Sequence, residues 1–446
     1  MPSPLAAVVM AAGLGTRMCS QRPKHLHPLL GRRVLDWALA AVEPLEPAPL
    51  VVVCSPETRE ELAAALPDAV ELAVQEKPRG TGDAVAAARA ALAGFAGDVL
   101  VLDGAAPLLE ADVLRALVAE HRRSEASVTV LSIEPSEPLP YGRIVRDERG
   151  RLRAIVEEAD AGGEEHAIRE LNTSTYVFAA GRLWEALARI DPHNVRGELY
   201  LTDAVRHLVD NGRAGAVYRA SEPIVGLGIN NRAELAEAGA ELRRRLVRGH
   251  MESGVTVVDP GSTWIEPDVE IEADAVIHPF TVLRGRTRIA AGAEVGPHVV
   301  ADDAVIGAGA LVGPFTYLRP GTVLAAGVKA GAFVEIKNSR IGERTKVPHL
   351  SYIGDSDVGE DSNIGAGAIT ANYRPELGSE EKQRTVIGRN VHTGSDNVFV
   401  APVEIGDDAW IGAGSTITED VPAGALAIAR ARQVNREGYV ERKRND

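Results

Sequence analysis

The sequence predicts two different folds in one chain: a Rossmann-like α/β domain, a linker helix, and a left-handed parallel β-helix. Two observations lead to this prediction. Short β-rich runs alternate with helical runs up to about residue 225, and beyond Ser253 aliphatic residues recur every six positions. The length of 446 residues also exceeds what one hydrophobic core normally organises. We therefore expect domains at 1–228 and 253–446, joined by a helix at 229–252.

The first half alternates strands and helices. Strands are predicted at 5–10, 50–54, 99–102 and 127–133, and helices at 34–42, 83–92 and 110–121. Such alternation is typical of a mostly parallel sheet, whose ligands bind beyond the carboxyl ends of the strands. The loop after Met10 is therefore expected to lie at a binding site. Residues 231–249 are helical and rich in charge, as expected of a connector.

The second half repeats with a period of six. Three registers run from Ile265 to Val295, from Ile306 to Ile336 and from Ile387 to Ile417, and glycine often follows the repeated position. This hexapeptide pattern indicates a parallel β-helix, in which stacked coils bury a continuous core. The register is lost between Ile336 and Ile387, and the stretch 372–383 fits no hexad. Loops on a rigid scaffold often carry function, so we expect a site near this break.

Composition limits the function classes. Forty-eight basic against sixty-three acidic residues give a net charge of −15, which disfavours general binding to nucleic acid or anionic membranes. No run approaches the roughly 18 apolar residues of a membrane helix, so membrane insertion is not expected. Cys19 and Cys54 fit neither a disulfide framework nor a zinc site, which favours a reducing cytoplasm. Small molecules are the expected ligands.

A glycine-rich loop follows the first predicted strand. It reads Met-Ala-Ala-Gly-Leu-Gly-Thr-Arg-Met from Met10, and Lys24 comes shortly after it. Glycines let backbone N–H groups approach phosphate oxygens, and Arg17 and Lys24 can neutralise a triphosphate and its departing pyrophosphate. Gln75 and the Gly-Thr-Gly-Asp run at Gly80 suit a base edge and ribose, although this second run alone is also compatible with a helix cap.

Basic and titratable side chains lie in and beside the break in the hexad register. Arg319, Lys337 and Lys346 are each more often a solvated charge when taken singly, but together they suit a sugar phosphate. An imidazole has an unperturbed pKa of about 6.5 and suits removal of a proton from an amine that attacks a thioester. His349 is therefore the candidate general base. Both cysteines precede residue 55, so a covalent acetyl-cysteine in this half is not expected.

These motifs resemble, in order and over essentially the whole chain, the family of bifunctional uridylyltransferases and acetyltransferases that make UDP-N-acetylglucosamine. The resemblance rests on the two glycine loops, Tyr-Gly-Arg-Ile from Tyr141, Glu-Leu-Asn-Thr from Glu170, the Glu-Leu-Tyr-Leu-Thr-Asp run from Glu198 and Gly-Ile-Asn-Asn-Arg from Gly228. In the second half it rests on Lys-Val-Pro-His-Leu-Ser-Tyr from Lys346 and on the run from Asn363 to Tyr373.

The resemblance implies a nucleotidyltransferase in the first domain. Arg17 and Lys24 would be the catalytic phosphate ligands, and Mg²⁺ would be held by Asn230. The implied contacts to UTP and N-acetylglucosamine 1-phosphate are Ala11, Ala12, Gly13, Gln75, Gly80, Thr81, Gly142, Glu157, Asn172 and Asn230.

The resemblance also implies an acetyltransferase in the β-helix, assembled as a homotrimer, with His349 as its general base. The implied glucosamine 1-phosphate ligands are Arg319, Lys337, Tyr352, Asn363 and Lys382, and the implied acetyl-CoA contacts are Ala366, Asn372, Tyr373, Ser395, Ala413 and Arg430.

One departure from the family pattern concerns the metal. Ala105 stands where the family has the aspartate that is the principal Mg²⁺ ligand, and a methyl group offers no oxygen. Asp103, two residues earlier on an extended segment, would point the same way but lie about 6.5 Å along the strand. Leu14 and Asp83 are smaller departures, at positions where the family commonly has Lys and His.

Three hypotheses follow from the sequence. The first is a bifunctional enzyme in which Asp103 is a possible replacement for the metal ligand. The second is an acetyltransferase whose nucleotidyltransferase domain is impaired by Ala105. The third is a scaffold protein with the same two folds, and it is disfavoured because a scaffold has no need of His349, Arg319, Lys337 and Lys382 together.

Overall fold

The computed structural model describes residues 3–13, 15–374 and 382–445. Leu14 and part of the predicted break, residues 375–381, lie outside the described residues. Contacts divide the chain into two compact units, Met1–Leu242 and Arg243–Asp446, and the division falls within the helix expected at 229–252. None of the helices in the described ranges combines the length and the apolarity that a membrane span requires.

The first unit is an α/β sandwich. Its strands are β1 Leu5–Met10, β2 Pro28–Leu29, β3 Arg32–Arg33, β4 Leu50–Cys54, β5 Val70–Val74, β6 Asp98–Asp103, β7 Val128–Ile133, β8 Arg143–Arg146, β9 Leu152–Val156, β10 Leu171–Ala179 and β11 Gly215–Arg219. Its α-helices are α1 Val34–Val42, α2 Arg59–Ala65, α3 Thr81–Ala87, α4 Ala111–Arg123, α5 Gly163–His166, α6 Ala180–Leu187 and α7 Leu201–Asp210, followed by α8 Arg232–Glu252. Short 3₁₀ helices lie at Thr16–Met18, Lys24–Leu26, Glu43–Leu45, Pro56–Thr58 and Pro223–Gly226.

The main sheet has the order β11-β7-β10-β6-β1-β4-β5, with β8 and β9 attached to β10. Strand β1 is parallel to β4 and β6, while β10 is antiparallel to β6 and β7. The sequence of β1 is apolar throughout because both faces of this central strand are buried, one under each of two apolar clusters. The carboxyl ends of β1 and β6 consequently open at the same edge of the sheet.

The predicted helix at 83–92 was wrong at both ends. Helix α3 begins at Thr81 and ends at Ala87. From Ala88 to Phe95 most backbone hydrogen bonds connect residues three apart, for example Ala88 N–H to the Val85 carbonyl, so the chain continues as tight turns. The strands and the other two predicted helices have their expected positions to within two residues.

The second unit is a parallel β-helix followed by α9 Tyr439–Asn445. Its strands are β12 Thr256–Val257, β13 Trp264–Ile265, β14 Glu270–Ile271, β15 Val276–Ile277, β16 Val282–Arg284, β17 Arg288–Ile289, β18 Glu294–Val295, β19 Val300–Asp302, β20 Val305–Ile306, β21 Leu311–Val312, β22 Tyr317–Leu318, β23 Val323–Leu324, β24 Lys329–Ala332, β25 Glu335–Lys337, β26 Arg340–Ile341, β27 Lys346–His349, β28 Tyr352–Gly354, β29 Ser356–Val358, β30 Ile369–Ala371, β31 Thr385–Ile387, β32 His392–Thr393, β33 Val398–Val400, β34 Val403–Ile405, β35 Trp410–Ile411, β36 Thr416–Ile417 and β37 Leu426–Ala427.

The coils of the β-helix stack their strands on three parallel faces, and one face is divided into two sheets, β12 to β27 and β32 to β37, which within the described residues are joined only by the bridges of Asn363. The hexad positions point inward: Ile277, Leu283 and Ile306 have no exposed surface and belong to one continuous apolar cluster. The predicted break is a longer coil, because β26 pairs with β29 through Arg340 and Asp357, whereas β29 pairs with β31 only after the insertion. This confirms the predicted fold class of an α/β unit and a hexapeptide-repeat β-helix.

One corner of the β-helix carries residues with positive φ on successive coils. Phe280, His298, Phe315 and Phe333 occupy it with φ between 55° and 59°, and their rings stack with centroids 4.7 to 5.1 Å apart. Leu350 takes the same place on the next coil, since its N–H donates to the carbonyl of Ala332. The corner ladder, as we call this column of stacked positions, therefore leads directly to His349.

Candidate active sites

A cavity of about 450 Å³ opens in the first unit, next to the carboxyl ends of β1 and β6. It brings together most of the residues that the sequence placed around a nucleotide: Ala12, Gly13, Arg17, Lys24, Gln75, Gly80, Thr81 and Asn230. Ala11 is not among its lining residues. Its side chain is buried in an apolar cluster, and its N–H donates to the Val53 carbonyl at 2.7 Å. We call this space the nucleotide cavity.

The glycine loop places two cations in the nucleotide cavity. Gly15 has φ of +60°, and a Cβ on it would lie 2.8 Å from the Cβ of Lys24, so glycine lets the two segments approach. Arg17 donates through Nη2 to the Asn230 side-chain oxygen at 2.9 Å. Both cations that the sequence assigned to phosphate, Arg17 and Lys24, thus line this cavity.

The second glycine loop is held by its own side chains. Gln75 Nε2 donates to the Gly80 carbonyl at 3.1 Å and to Asp83 Oδ2 at 2.9 Å. Arg79 pairs with the same carboxylate at 2.7 Å, and the Thr81 hydroxyl accepts a hydrogen bond from the N–H of Leu201 at 3.0 Å. Asp83, a departure from the family pattern, therefore stabilises this loop.

Asp103 extends from the end of β6 into the nucleotide cavity. Its carboxylate lies 3.6 Å from Lys24 Nζ and 3.6 Å from His25 Nε2, and it accepts the N–H of Ala105 at 2.9 Å. Burial opposes the charge, but Lys24, His25 and the Ala105 N–H together hold the pKa of Asp103 well below its usual range. Asp103 is therefore a permanent negative charge beside Lys24 at any physiological pH.

The side chain at position 105 offers no ligand. Ala105 has no exposed surface and belongs to an apolar cluster that includes Met18, Leu108 and Ile229. Neither the nucleotide cavity nor the smaller cavity beside it is lined by this methyl group. The carboxylate that faces both cavities is Asp103.

A second cavity of about 160 Å³ contains the predicted sugar contacts Gly142, Glu157 and Asn172. Glu157 accepts a hydrogen bond from the Thr202 hydroxyl at 2.9 Å, yet burial raises the pKa of this carboxyl. Asn172 donates through Nδ2 to the Tyr176 hydroxyl at 2.8 Å. We call this space the sugar cavity.

Three of the predicted residues line both cavities at once. Arg17, Asp103 and Asn230 face the nucleotide cavity and the sugar cavity. A ligand in one cavity and a ligand in the other would therefore both contact these three side chains. Arg17 is a cation, Asp103 an anion and Asn230 a neutral amide.

In the β-helix, four predicted residues follow one another along the corner ladder. The backbone carbonyls of His349, Ala366 and Ser395 each accept a hydrogen bond from the next coil, at 3.4, 2.7 and 2.8 Å. The last of these bonds comes from Gly414, the neighbour of Ala413. The candidate base and three predicted acetyl-CoA contacts thus lie on consecutive coils.

Two more predicted contacts lie close to this ladder or to the longer coil. A Cβ on Gly414 would lie 3.7 Å from Arg430 Cδ, so Arg430 passes beside the end of the ladder. Lys382 Nζ lies 3.7 Å from the centre of the Tyr373 ring, a cation–π contact at the edge of the longer coil.

A second group forms around β25 and β28. Lys337 Nζ lies 3.5 Å from Asp355 Oδ2, and Asn372 Nδ2 donates to the same oxygen at 2.5 Å and to the Tyr352 hydroxyl at 3.2 Å. Three predicted ligands are thus joined through a residue to which the sequence analysis gave no role.

Two other predicted ligands have partners outside this group. Arg319 pairs with Glu335 at 2.9 Å, and Asn363 bridges between the strands of Lys346 and His392. Within the described residues, no hydrogen bond or ion pair joins the His349 ring to Lys337, Tyr352 or Asn372.

Comparison with known proteins gives two family matches. A MobA-like NTP transferase domain matches residues 7–190, and a bacterial transferase hexapeptide repeat matches residues 384–419. The chain is 47% identical to Bifunctional protein GlmU of Mycolicibacterium gilvum and 46% identical to that of Mycobacterium tuberculosis strain CDC 1551, each over 99% of this chain and 93% of the relative. The chain belongs to the GlmU family. The family and the bifunctional transferase predicted from the motifs are confirmed.

Two side chains of this GlmU-family chain were missed by the sequence analysis. His25 is buried in the wall of the nucleotide cavity, and burial lowers the pKa of its imidazole. Its signal was only its place next to Lys24. Asp355 had a stronger signal, since it follows the Tyr-Ile-Gly of a family motif, but no pattern showed that it contacts Lys337 and Asn372.

Proposed function

We propose that this protein makes UDP-N-acetylglucosamine in two steps. The β-helix unit transfers acetyl from acetyl-CoA to glucosamine 1-phosphate, and the α/β unit then transfers UMP from UTP to the product and releases pyrophosphate. The observation that supports the second step best is the meeting of two cavities at Arg17, Asp103 and Asn230. The acetyltransferase-only alternative has no support from the relatives. They are named as bifunctional proteins, and the match covers 93% of their length.

In the uridylyl step, UTP occupies the nucleotide cavity, with its base and ribose near Gln75, Gly80 and Thr81. N-acetylglucosamine 1-phosphate occupies the sugar cavity, where Glu157 and Asn172 bind the sugar. A phosphate oxygen of the sugar phosphate attacks the α-phosphorus, and the bond to the β-phosphate oxygen breaks. Arg17 and Lys24 neutralise the charge that passes to pyrophosphate, so the protein acts mainly by positioning and electrostatics.

Mg²⁺ fits the oxygen donors that face both cavities. Asp103 supplies a carboxylate and Asn230 an amide oxygen, and Mg²⁺ is commonly held by one or two carboxylates together with substrate phosphates. Among the described residues no cluster of three His, Cys, Asp or Glu is placed to hold a metal, so phosphate oxygens are needed to complete the set. Bound Mg²⁺ would neutralise phosphate charge, and we propose Asp103 in place of the aspartate absent at 105.

In the acetyl step, acetyl-CoA lies along the corner ladder and glucosamine 1-phosphate lies near Lys337 and Tyr352. The amine nitrogen attacks the thioester carbonyl, His349 takes a proton from that nitrogen, and the coenzyme A thiolate leaves. Lys337 and Arg319 attract the substrate phosphate.

We further propose a cytoplasmic homotrimer. Large apolar side chains remain exposed on the outside of the β-helix, among them Leu311, Ile369 and Trp410, and an assembly through this unit would cover apolar surface of this kind.

Two assays on the purified full-length protein test the proposal. Coenzyme A release is measured with acetyl-CoA and glucosamine 1-phosphate, and pyrophosphate release is measured with UTP, N-acetylglucosamine 1-phosphate and Mg²⁺. We expect both products. Coenzyme A release without pyrophosphate release would reinstate the impaired-domain hypothesis, and the absence of both would refute the proposed function.

A further inference from the structure

Asp355 lies in a β-helix corner directly after β28. Its φ is 50°, in the left-handed region that Asp and Asn tolerate better than most residues, and its N–H donates to the Lys337 carbonyl at 2.9 Å. Asn338 holds the same corner on the preceding coil with φ of 45°. This conformational preference is enough to explain an Asp at this position. A further role for Asp355 therefore depends on the contacts of its side chain.

The carboxylate of Asp355 is enclosed by donors from the two flanking coils. Its side chain is only 5% exposed. Oδ1 accepts from Asn338 Nδ2 at 2.6 Å on the preceding coil, and Oδ2 accepts from Asn372 Nδ2 at 2.5 Å on the following one. Lys337 Nζ lies 3.5 Å from Oδ2. A buried carboxylate is costly unless it is paired in this way, so these groups fix one another.

A second corner aspartate shows what a purely local role looks like. Asp303 lies in the same column two coils before Asn338, and its Oδ1 accepts the backbone N–H of Arg286 at 2.8 Å. Among the described residues, no backbone N–H donates to the Asp355 carboxylate. Its partners are side chains, and two of them, Lys337 and Asn372, belong to the predicted ligand set.

The surroundings of Asp355 leave little room for these side chains to move. Asn372 also donates to the Tyr352 hydroxyl at 3.2 Å. A Cβ on Gly354 would lie 2.3 Å from that hydroxyl and 2.7 Å from Asn372 Nδ2, so only glycine permits this packing. Lys337 remains 27% exposed and can still reach a ligand.

We propose that Asp355 is the positioning residue of the acetyl-transfer site, which holds Lys337, Asn372 and, through Asn372, Tyr352 in their binding geometry before the sugar phosphate arrives. Holding the long lysine side chain in advance reduces the entropy lost on binding. The inference rests on the proposed acetyltransferase function, because it concerns the ligands of that reaction.

The test is steady-state kinetics of the full-length Asp355→Asn variant. Asparagine has one carbonyl oxygen, so it cannot accept from both Asn338 and Asn372, and it has no charge for Lys337. We expect the KM for glucosamine 1-phosphate to rise about tenfold or more, with a smaller change in kcat. Far-ultraviolet circular dichroism and the thermal unfolding midpoint of the same sample should match those of the wild type, which shows that the β-helix unit has folded, and pyrophosphate release should keep its wild-type rate.

The matched control is Asp361→Asn. This aspartate also lies in the β-helix, but it is 48% exposed and pairs with Arg344 at 2.7 Å on the surface. We expect its KM to stay within about twofold of wild type, as is usual for surface pairs. An Asp355→Asn variant with the KM of this control would overturn the inference.

A double-variant cycle separates positioning from general stability. If Asp355 acts through Lys337, the double variant Asp355→Asn with Lys337→Met should have a KM close to that of Lys337→Met alone, because the two effects share one contact. Full multiplication of the two effects would contradict the proposal. If the wild-type protein released no coenzyme A, the proposed function would fail first, and the two failures are thereby distinguished.

A milder variant decides the matter if Asp355→Asn does not fold. Asn338→Gly removes one donor to Asp355 without straining a backbone that has positive φ, and Asn338 itself is not a predicted ligand. We expect a rise of about threefold in the same KM, as for a weakened supporting contact. An unchanged KM in a folded Asn338→Gly protein would count against a positioning role.

Discussion

At the scale of single residues, Asp103 shows how one carboxylate can serve two neighbours. It pairs with Lys24 in the resting protein, and it faces both cavities together with Asn230. Its low pKa keeps it charged, so it is available as a partner for Lys24 or for a metal ion across the physiological range. The methyl group of Ala105, two positions later, does not change the charge of Asp103 or its place beside both cavities.

Asp103→Asn is expected to lower the rate of pyrophosphate release about 10- to 100-fold, because the amide cannot hold Lys24 or a divalent cation as strongly. Electron paramagnetic resonance of bound Mn²⁺, titrated with and without UTP, measures the metal affinity independently of turnover. Asp112→Asn is the control, since Asp112 is exposed on α4.

A third variant tests the other hypothesis about the metal. Adding Ala105→Asp to Asp103→Asn places a carboxylate in an apolar cluster, so we expect lower stability and no recovery of Mn²⁺ binding. Recovery of binding and activity would show that position 105 does reach the metal in this chain.

Buried histidines predict how the first unit responds to acid. Burial lowers the pKa values of His25, His27 and His121 below the usual 6.5. Below about pH 6.5 the unfolded chain therefore binds more protons than the folded chain. The free energy of unfolding is consequently not reduced by these histidines above that pH, and it decreases as the pH falls below it.

The free energy of unfolding of the first unit should therefore be lower at pH 5.5 than at pH 7.5, and His121→Gln should reduce this difference. Urea unfolding followed by tryptophan fluorescence measures it, with Trp264→Phe and Trp410→Phe so that only Trp37 and Trp184 report. An unfolding free energy independent of pH over this window would contradict the prediction.

At the scale of elements, the contribution of a side chain to the stability of the β-helix depends on its position in the hexad. Leu318 is fully buried in the continuous core, whereas Leu311 is 44% exposed on the outside of its coil. We expect Leu318→Ala to cost about 2–5 kcal/mol, the usual range for a buried leucine, and Leu311→Ala to cost less than about 1 kcal/mol. Denaturant unfolding of the two variants provides the comparison, and equal losses would show that the core is not organised by the hexads.

The elements also show how far the sequence could lead. A period of six predicted the coils at 265–295, 306–336 and 387–417, because each of them repeats the same burial of Ile277, Leu283 and their equivalents, but it did not describe the coils between 336 and 387. The end of α3 was not predictable from helical propensity, because the chain after Ala87 switches to tight turns.

Sites were predictable where the motif is local and not where the fold makes the contact. Arg17 and Lys24 belong to one loop, and the structure places both in one cavity. Asp355 contacts Asn338 and Asn372 only because neighbouring coils stack on one another. Each of these partners is 17 residues from Asp355 in the sequence, and the coils of this chain differ in length. A single sequence carries no mark of such a pairing.

At the scale of the whole molecule, the two candidate sites lie in different compact units. We therefore expect their activities to be separable by substitution in the intact protein. Lys24→Ala should lower pyrophosphate release about 100-fold or more and leave coenzyme A release unchanged. His349→Ala should do the reverse, with a loss on the order of 10²- to 10⁴-fold as for a general base. Both assays on both variants give the result, and a loss of both activities in either variant would contradict separate sites.

The corner ladder has one further consequence, for ligand length. His349, Ala366, Ser395 and Ala413 follow one another at the spacing of neighbouring strands, about 4.8 Å, so an elongated ligand that lies along them meets one residue for each step. The length of such a ligand therefore determines how many of these residues it can contact. If acetyl-CoA binds along the ladder as proposed, we expect a thioester whose arm is shorter by one such step to reach Arg430 or His349 but not both, so the protein would discriminate against it by its length alone.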